Sequence, residues 1–248
     1  MKLLKTLVAA AALAVSVSAF ATPVLPGNET PLQTVINNLY TNAGTDVSKA
    51  PDVNTNQANE SGRFQIEASG GSIATMIIEI AGNANFNSFG IYDPSKPSVF
   101  LQLFSGAASS TDKVSLYGNE NNQFSLGYPG APKTQFSSGT FGYYLIDANG
   151  SMFYSQATLN AGGADQLVAF QGDGDIIKLP GQKAGVWGAS SYILAWEDQP
   201  YGNSDKDFND MVVYVESITA VPEPGSLALL GLGLAGLAAV TRRKQKKA

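Results

Sequence analysis

From Arg63 to Ser217 the chain is a series of short apolar runs separated by Gly, Asn, Ser and Pro. The runs are Arg63–Ala68, Ile73–Ile80, Phe89–Tyr92, Val99–Phe104, Lys113–Tyr117, Gln123–Leu126, Phe141–Ile146, Met152–Tyr154, Gln166–Phe170, Ile176–Leu179, Tyr192–Glu197 and Met211–Glu216. β-Branched and aromatic residues are frequent in them and turn-forming residues bound them, which predicts strands. A spacing of roughly ten residues, with no long helical stretch between, predicts an all-β fold: an antiparallel β-sandwich, jelly-roll-like, or a barrel. Phe64, Phe89, Phe104, Phe141, Tyr144, Phe153, Phe170 and Trp187 lie on or beside the runs and are expected in the core. Asp147-Ala148-Asn149-Gly150 predicts a hairpin turn. No internal repeat is evident.

The pattern changes at both ends. Residues 22–62 are mostly polar, but Leu32, Val35, Ile36 and Leu39 recur at helical spacing after Thr30-Pro31. A capping residue before a proline at the first helical position predicts a short helix from Pro31 to about Tyr40, lying on the body. Thr41 to Gln57 is expected to be irregular. Residues 1–21 carry Lys2 and Lys5, then an apolar core from Leu7 to Val17, then Ala19-Phe20-Ala21. That order is a secretory signal with cleavage after Ala21. Residues 221–246 begin with Val221-Pro222-Glu223-Pro224-Gly225, an extended stem because its prolines bar helix and central strand. An apolar span from Leu227 to Val240 and a basic end follow, which predicts a single membrane-spanning helix with its C-terminus inside.

Composition removes several kinds of chemistry. The 248 residues include no cysteine and no histidine, so disulfides, Cys/His zinc sites, cysteine nucleophiles and a Ser-His-Asp triad are all excluded. A hydrophobic content of 44% suffices for one sizeable core. Lys2, Lys5, Arg242, Arg243, Lys244, Lys246 and Lys247 lie in the terminal segments. The eight remaining basic residues face twenty acids, a balance near −12, so nucleic acid is excluded as a partner.

The candidate chemistry lies between Trp196 and Met211, where Glu197, Asp198, Asp205, Asp207 and Asp210 cluster around Asn209. Apolar runs flank this loop, which also holds Pro200, Gly202 and Asn203, so it joins two strands as a hairpin or bulged corner. Clustered carboxylates repel one another. A hard cation among them lowers that cost, and an all-oxygen donor set suits Ca²⁺ better than a transition metal. The plain alternative is a solvated loop, since Asp and Asn favour turns. The series Asp205-x-Asp207-x-Asn209 also imitates an EF-hand loop, but Asp210 stands where a glycine is wanted and Met211 to Val215 is strand-like. A second acidic turn, Gly172-Asp173-Gly174-Asp175, offers two further oxygen ligands or is an ordinary turn.

Two resemblances follow from these residues. The stem, apolar span and Arg242-Arg243-Lys244 resemble a PEP-CTERM sorting signal. That resemblance implies recognition by an exosortase, a transpeptidase-like enzyme of the Gram-negative inner membrane. It also implies cutting near Pro222, Glu223 and Pro224, release to the cell surface or matrix, and association with exopolysaccharide and biofilm. The body from about Phe64 to Ser217 resembles the bacterial domain of unknown function 4114. The residues that carry this are Phe141-Gly142-Tyr143-Tyr144-Leu145, Tyr154-Ser155, Leu159-Asn160, Leu167 to Phe170, Ala195-Trp196-Glu197-Asp198 and Asp205 to Val213. Trp196 replaces a commoner phenylalanine and Gln199–Ser204 has fewer glycines than usual, but no acid is lost. This resemblance implies a β-rich fold and calcium on Glu197, Asp198, Asp205, Asp207, Asn209 and Asp210. Three functions are therefore weighed. The leading one is an exported, non-enzymatic surface or matrix protein that binds calcium. The alternative is a carbohydrate-binding module using Tyr128, Trp187 or Tyr201 as stacking faces. A hydrolase with Glu197 and Asp207 as acid and base is the third, and nothing in the spacing requires it.

Overall fold

The computed structural model describes residues 23, 30–58, 61–67, 72–79, 87–106, 108, 112–127 and 131–222. The secretory signal with Ala19 and Ala21, the loop residue Tyr128, the stem residues Glu223 and Pro224, and the apolar span all lie outside them. The fold is mostly β, with one α-helix among the described residues. In chain order, α1 (Leu32–Ala43) is followed by β1 (Phe64–Ile66), β2 (Ser72–Glu79), β3 (Ser88–Asp93), β4 (Lys96–Phe104) and β5 (Lys113–Gly118). Then come β6 (Gln123–Leu126), β7 (Thr134–Gln135), β8 (Thr140–Ile146), β9 (Met152–Tyr154) and β10 (Leu167–Gln171). The last are β11 (Ile176–Ile177), β12 (Gly185–Val186), β13 (Ser191–Trp196), β14 (Met211–Glu216) and β15 (Ile218–Ala220). All strand pairs are antiparallel.

One sheet has the order β15-β1-β8-β3-β4, with β9 also paired to β8, and the other has the order β10-β13-β14-β2-β5-β6-β7. A small ribbon, β11-β12, stands apart. Side chains alternate between the two faces of a strand. From β10, β13 and β14, Leu167, Ala169, Tyr192, Leu194, Trp196, Met211, Val213 and Val215 enter a cluster shared with Phe64, Phe89, Ile91, Phe141, Tyr143 and Leu145 of the other sheet. The intervening residues Val168, Phe170, Ile193, Ala195, Val212 and Tyr214 enter a second cluster with Leu32, Val35, Ile36, Leu39 and Tyr40 of α1. The middle of this sheet is thus buried on both faces. That accounts for the unbroken apolar runs of β13 and β14, since a strand facing solvent on one side would show polar residues at alternate positions.

α1 forms on the predicted apolar stripe but ends differently. Pro31 is its N-cap rather than its first turn, and no side chain caps it. The Pro31 carbonyl accepts from the amides of Thr34 and Val35 at 2.8 and 3.1 Å. The helix runs past Tyr40 to Ala43 and stops at Gly44, whose φ is 73°. The amides of Gly44 and Thr45 close back onto the carbonyls of Thr41 and Tyr40, so orphan carbonyls of the last turn are satisfied. The stretch expected to be irregular therefore contributes one more helical turn and a short 3₁₀ turn at Val47–Lys49.

The aromatics expected in the core are all buried. Trp187 is 1% exposed, which removes it as a stacking face for sugar. It is held by its backbone: its amide donates to the Asp175 carbonyl at 2.7 Å and its carbonyl accepts from Gly174 at 2.8 Å. Its ring lies where Gly172 has no side chain, with a Cβ there falling 2.5 Å from the indole.

Candidate metal centre

The loop from Glu197 to Asp210 joins neighbours in the sheet, because Trp196 stands opposite Met211 in the β13–β14 ladder. The hairpin predicted from sequence is present. Of its acids only Asp205 is exposed: Glu197, Asp198, Asp207 and Asp210 are buried, as is Asn209. Two residues take a left-handed backbone, Lys206 with φ 64° and Phe208 with φ 54°. Phe208 is fully buried in the second cluster, on the α1 side of the sheet. Burying that ring carries Asp207 and Asn209 inward on either side of it. The Phe208 amide donates to Glu197 Oε1 at 2.7 Å.

The acids fall into two groups. Carboxylate oxygens of Glu197, Asp205 and Asp207 all lie within 4.8 Å of one another. Glu197 Oε2 is buried without a hydrogen-bond partner. Burial pushes the Glu197 carboxyl above its ordinary pKa; the Ser204 hydroxyl and the amides of Phe208 and Lys206 oppose this, and the charge of Asp205 adds to it. The Ser204 hydroxyl stands near the carboxylate without an aligned hydrogen bond. The second group is Asp198 with Asp210: the Asp198 amide donates to Asp210 Oδ2 at 2.8 Å. Burial first, then the charges of Asp198, Glu197 and Asp207, push the Asp210 carboxyl up to about 9.

Two distant residues tie the loop to its surroundings. Asn87, just before β3, donates from Nδ2 to Asp198 Oδ2 at 2.9 Å. Asn209 donates from Nδ2 to the Thr30 carbonyl, at the start of α1, at 3.0 Å, and its buried Oδ1 has no partner. Neither tether was legible in the sequence, since nothing local connects Asn87 to Asp198 or Thr30 to Asn209. Lys206 turns its ammonium onto the Tyr201 ring, 4.6 Å from the centroid. Among the described residues, Glu197 and Asp210 have no ion-pair partner. An all-oxygen set with a buried carboxylate oxygen and no counter-charge on it is the chemistry that hard cations complete.

Asp173 and Asp175 are not part of either group. Gln171 pairs with Tyr192 and Leu167 with Trp196, so the second acidic turn and the Glu197–Asp210 loop leave opposite ends of the same strands. The Asp175 amide donates to Asp173 Oδ1 at 3.1 Å, and Asp175 Oδ1 meets Lys49 Nζ at 3.4 Å. It is an ordinary turn.

Comparison with known families adds two matches. Residues 107–218 match the model of a domain of unknown function, DUF4114, and residues 220–244 match the PEP-CTERM protein-sorting motif. The chain carries both. The first match includes the whole acidic loop and begins after β4. The second marks an exported protein of Gram-negative bacteria that passes through a membrane-anchored intermediate and is recognised by an exosortase. No curated protein and no solved structure matches the chain. The sorting motif starts while the chain is still paired to the body: the Val221 amide donates to the Arg63 carbonyl at 2.8 Å, and its carbonyl accepts from Ser61 Oγ at 2.5 Å. Among the described residues no helix is long and apolar enough to cross a membrane.

Proposed function

We propose that this is a non-enzymatic cell-surface or extracellular-matrix protein whose DUF4114 body is stapled by a calcium ion. Its two sheets are read as the halves of a β-sandwich. Glu197, Asp205 and Asp207 are the primary ligands in this reading. Asn209 supplies a neighbouring oxygen, and the Asp198–Asp210 pair adds negative charge that the ion offsets. The observation that carries the reading is the buried Glu197 Oε2, without a hydrogen-bond partner, beside two more carboxylates. A buried carboxylate left in this state either takes up a proton or destabilises the fold, and a divalent cation relieves both costs. Exosortase processing then delivers the body outside, in association with exopolysaccharide or biofilm.

Extracellular sites of this kind bind calcium at about 10⁻⁴–10⁻³ M. Calcium at a hundredfold excess over its dissociation constant stabilises the folded state by about 2.7 kcal/mol. For a body of this size each kcal/mol shifts Tm by about 2–4 °C, so calcium raises Tm by roughly 5–11 °C over EGTA. Calorimetry of the purified protein measures this. An identical Tm in calcium and EGTA, or a full shift retained by Glu197→Gln, removes calcium from the reading. Alanine at Pro222, Glu223 and Pro224 is expected to leave the chain in the membrane fraction. No turnover is expected on a polysaccharide panel.

A further inference from the structure

A cleft of about 520 Å³ opens between the turns around Leu159–Ala164 and the Pro200–Gly202 part of the acidic loop. Its lining includes Phe153, Leu159, Asn160, Gln166, Tyr201 and Gly202. We propose that this cleft binds a short segment of neutral saccharide. The inference goes beyond the calcium reading and does not depend on it.

The size is that of a small-molecule site. Among the described residues no Asp, Glu, Lys or Arg lines the cleft, and the nearby Lys206 ammonium is engaged on the Tyr201 ring. The loop that forms one wall carries the acids and disfavours an anion such as a uronate. An uncharged ligand is what remains. Its apolar side meets Tyr201, Phe153 and Leu159, of which Leu159 is 39% exposed. Tyrosine rings stack on the C–H faces of sugars and keep a polar edge. Lys206 rests its ammonium against the Tyr201 ring and holds that side chain in place.

The polar side is one acceptor lacking a donor. Gln166 is 1% exposed, and its Nε2 donates to the Gln199 carbonyl at 2.6 Å, fixing the amide. Its Oε1 has no partner. A buried acceptor in that state costs stability until a donor arrives, and a sugar hydroxyl is such a donor. The opposite wall is already set. Asn160 donates from Nδ2 to the carbonyls of Tyr154 and Ala164 at 2.8 and 2.9 Å, and its Oδ1 accepts from the Tyr154 amide at 2.8 Å. Little ordering is left for the ligand to impose.

The test titrates the full chain, in mild detergent, with neutral gluco-, manno- and galacto-oligosaccharides and with oligogalacturonate. It is run in calcium and in EGTA, with calorimetric readout. At least one neutral oligosaccharide is expected to bind saturably in one of the two buffers. Tyr201→Ala weakens that binding about tenfold. Gly202→Trp abolishes it by filling the mouth; a Cβ at Gly202 meets nothing within 4 Å, so the variant is expected to keep its Tm. Should Gly202→Trp not fold, Gln166→Leu replaces it and is expected to weaken binding. The proposal is overturned by no saturable binding of any neutral oligosaccharide, by binding that both variants leave intact, or by preference for oligogalacturonate. A calcium-dependent Tm alongside no sugar binding sinks this proposal and leaves the calcium reading standing.

Discussion

Phe208 is the residue through which the acidic loop and the helix-side core act as one unit, and substituting it separates the contributions. It lies between Asp207 and Asn209, is fully buried, and has a φ of 54°. A non-glycine residue in the left-handed region costs about 1–2 kcal/mol. Truncating a buried phenylalanine to alanine costs about 3–5 kcal/mol, so the ring's burial against α1 and β14 outweighs the backbone strain. Phe208→Ala keeps the strain and loses the ring, and is expected to destabilise the protein by about 3–5 kcal/mol. Phe208→Gly loses the ring and also the strain. Glycine ordinarily sits about 0.5–1 kcal/mol below alanine because it loses more freedom on folding. Here relief of about 1–2 kcal/mol reverses the order, leaving the glycine variant the more stable of the two by roughly 0.5–1 kcal/mol. Urea unfolding followed by the fluorescence of the buried Trp187 and Trp196 measures both values. A loss below about 1 kcal/mol for Phe208→Ala would show that the ring does not hold the loop down. A glycine variant less stable than the alanine variant would show that the left-handed backbone is not maintained.

Gly62 has a φ of 69°, and a Cβ there would collide with the Ser155 carbonyl, so Gly62→Ala is expected to lose about 2–5 kcal/mol in the same urea assay. Asp93 is 1% exposed and accepts from the Ser137 amide and hydroxyl at 2.7 and 2.6 Å and from the Ser95 amide at 2.9 Å. Burial raises its pKa, but these hydrogen bonds more than offset that and hold it below the ordinary value. A depressed carboxyl contributes stability that is present above its unfolded value and lost as pH falls through the folded one. Asp93→Ala is therefore expected to cost about 1–3 kcal/mol at neutral pH and progressively less below about pH 4, seen as converging Tm curves. Asp165 has the opposite sign: burial, partly offset by the Leu167 amide, pushes it up to about 6. Its contribution is complete below the unfolded value and lost as pH rises through about 6, so Asp165→Asn should match the parent at low pH and exceed it by up to about 3 kcal/mol at pH 8.

Much of the strand series was legible because Gly, Asn, Ser and Pro interrupt it at the ends of nearly every run. Gln123–Leu126, Met152–Tyr154 and Met211–Glu216 have the boundaries the pattern predicts. Thr134–Gln135 and Gly185–Val186 were not legible, since two residues carry no periodicity. Ile218–Ala220 was hidden for another reason. Ser217 takes φ 60°, and the chain crosses from one sheet to the other there, although β14 and β15 read as nearly continuous sequence. Sheet order was not legible either: β2 lies between β14 and β5, a placement that only long-range pairing decides. The acids of the loop were visible as a group, but their division into two sets was not. That division comes from Phe208 turning inward and from Asn87, which stands 111 residues from Asp198. Trp187 was expected in the core and also offered as a stacking face; the first holds, and what was not legible is its partner, since nothing in the local sequence connects it to Gly172, over which its ring packs.

The position of the acidic loop gives the proposed cation a larger role than ordering one turn. Through Asn87 and Asp198 the loop holds the sheet that contains β3, through β13 and β14 it belongs to the other sheet, and through Asn209 it holds the entry to α1. Repulsion among its carboxylates therefore acts on all three elements at once, and neutralising that repulsion steadies all three. A chain without cysteine has no disulfide to serve instead. A site of millimolar strength fills only where calcium is abundant. In the proposed reading the body is then least stable before export, when an unfolded chain is easiest to move, and most stable once outside. The order of the two segments agrees with this: the sorting motif begins at the last residue of β15, so a body that folds on delivery pairs β15 with Phe64–Ile66 of β1 and holds Val221, at the start of the motif, through Ser61 and Arg63 just before that strand.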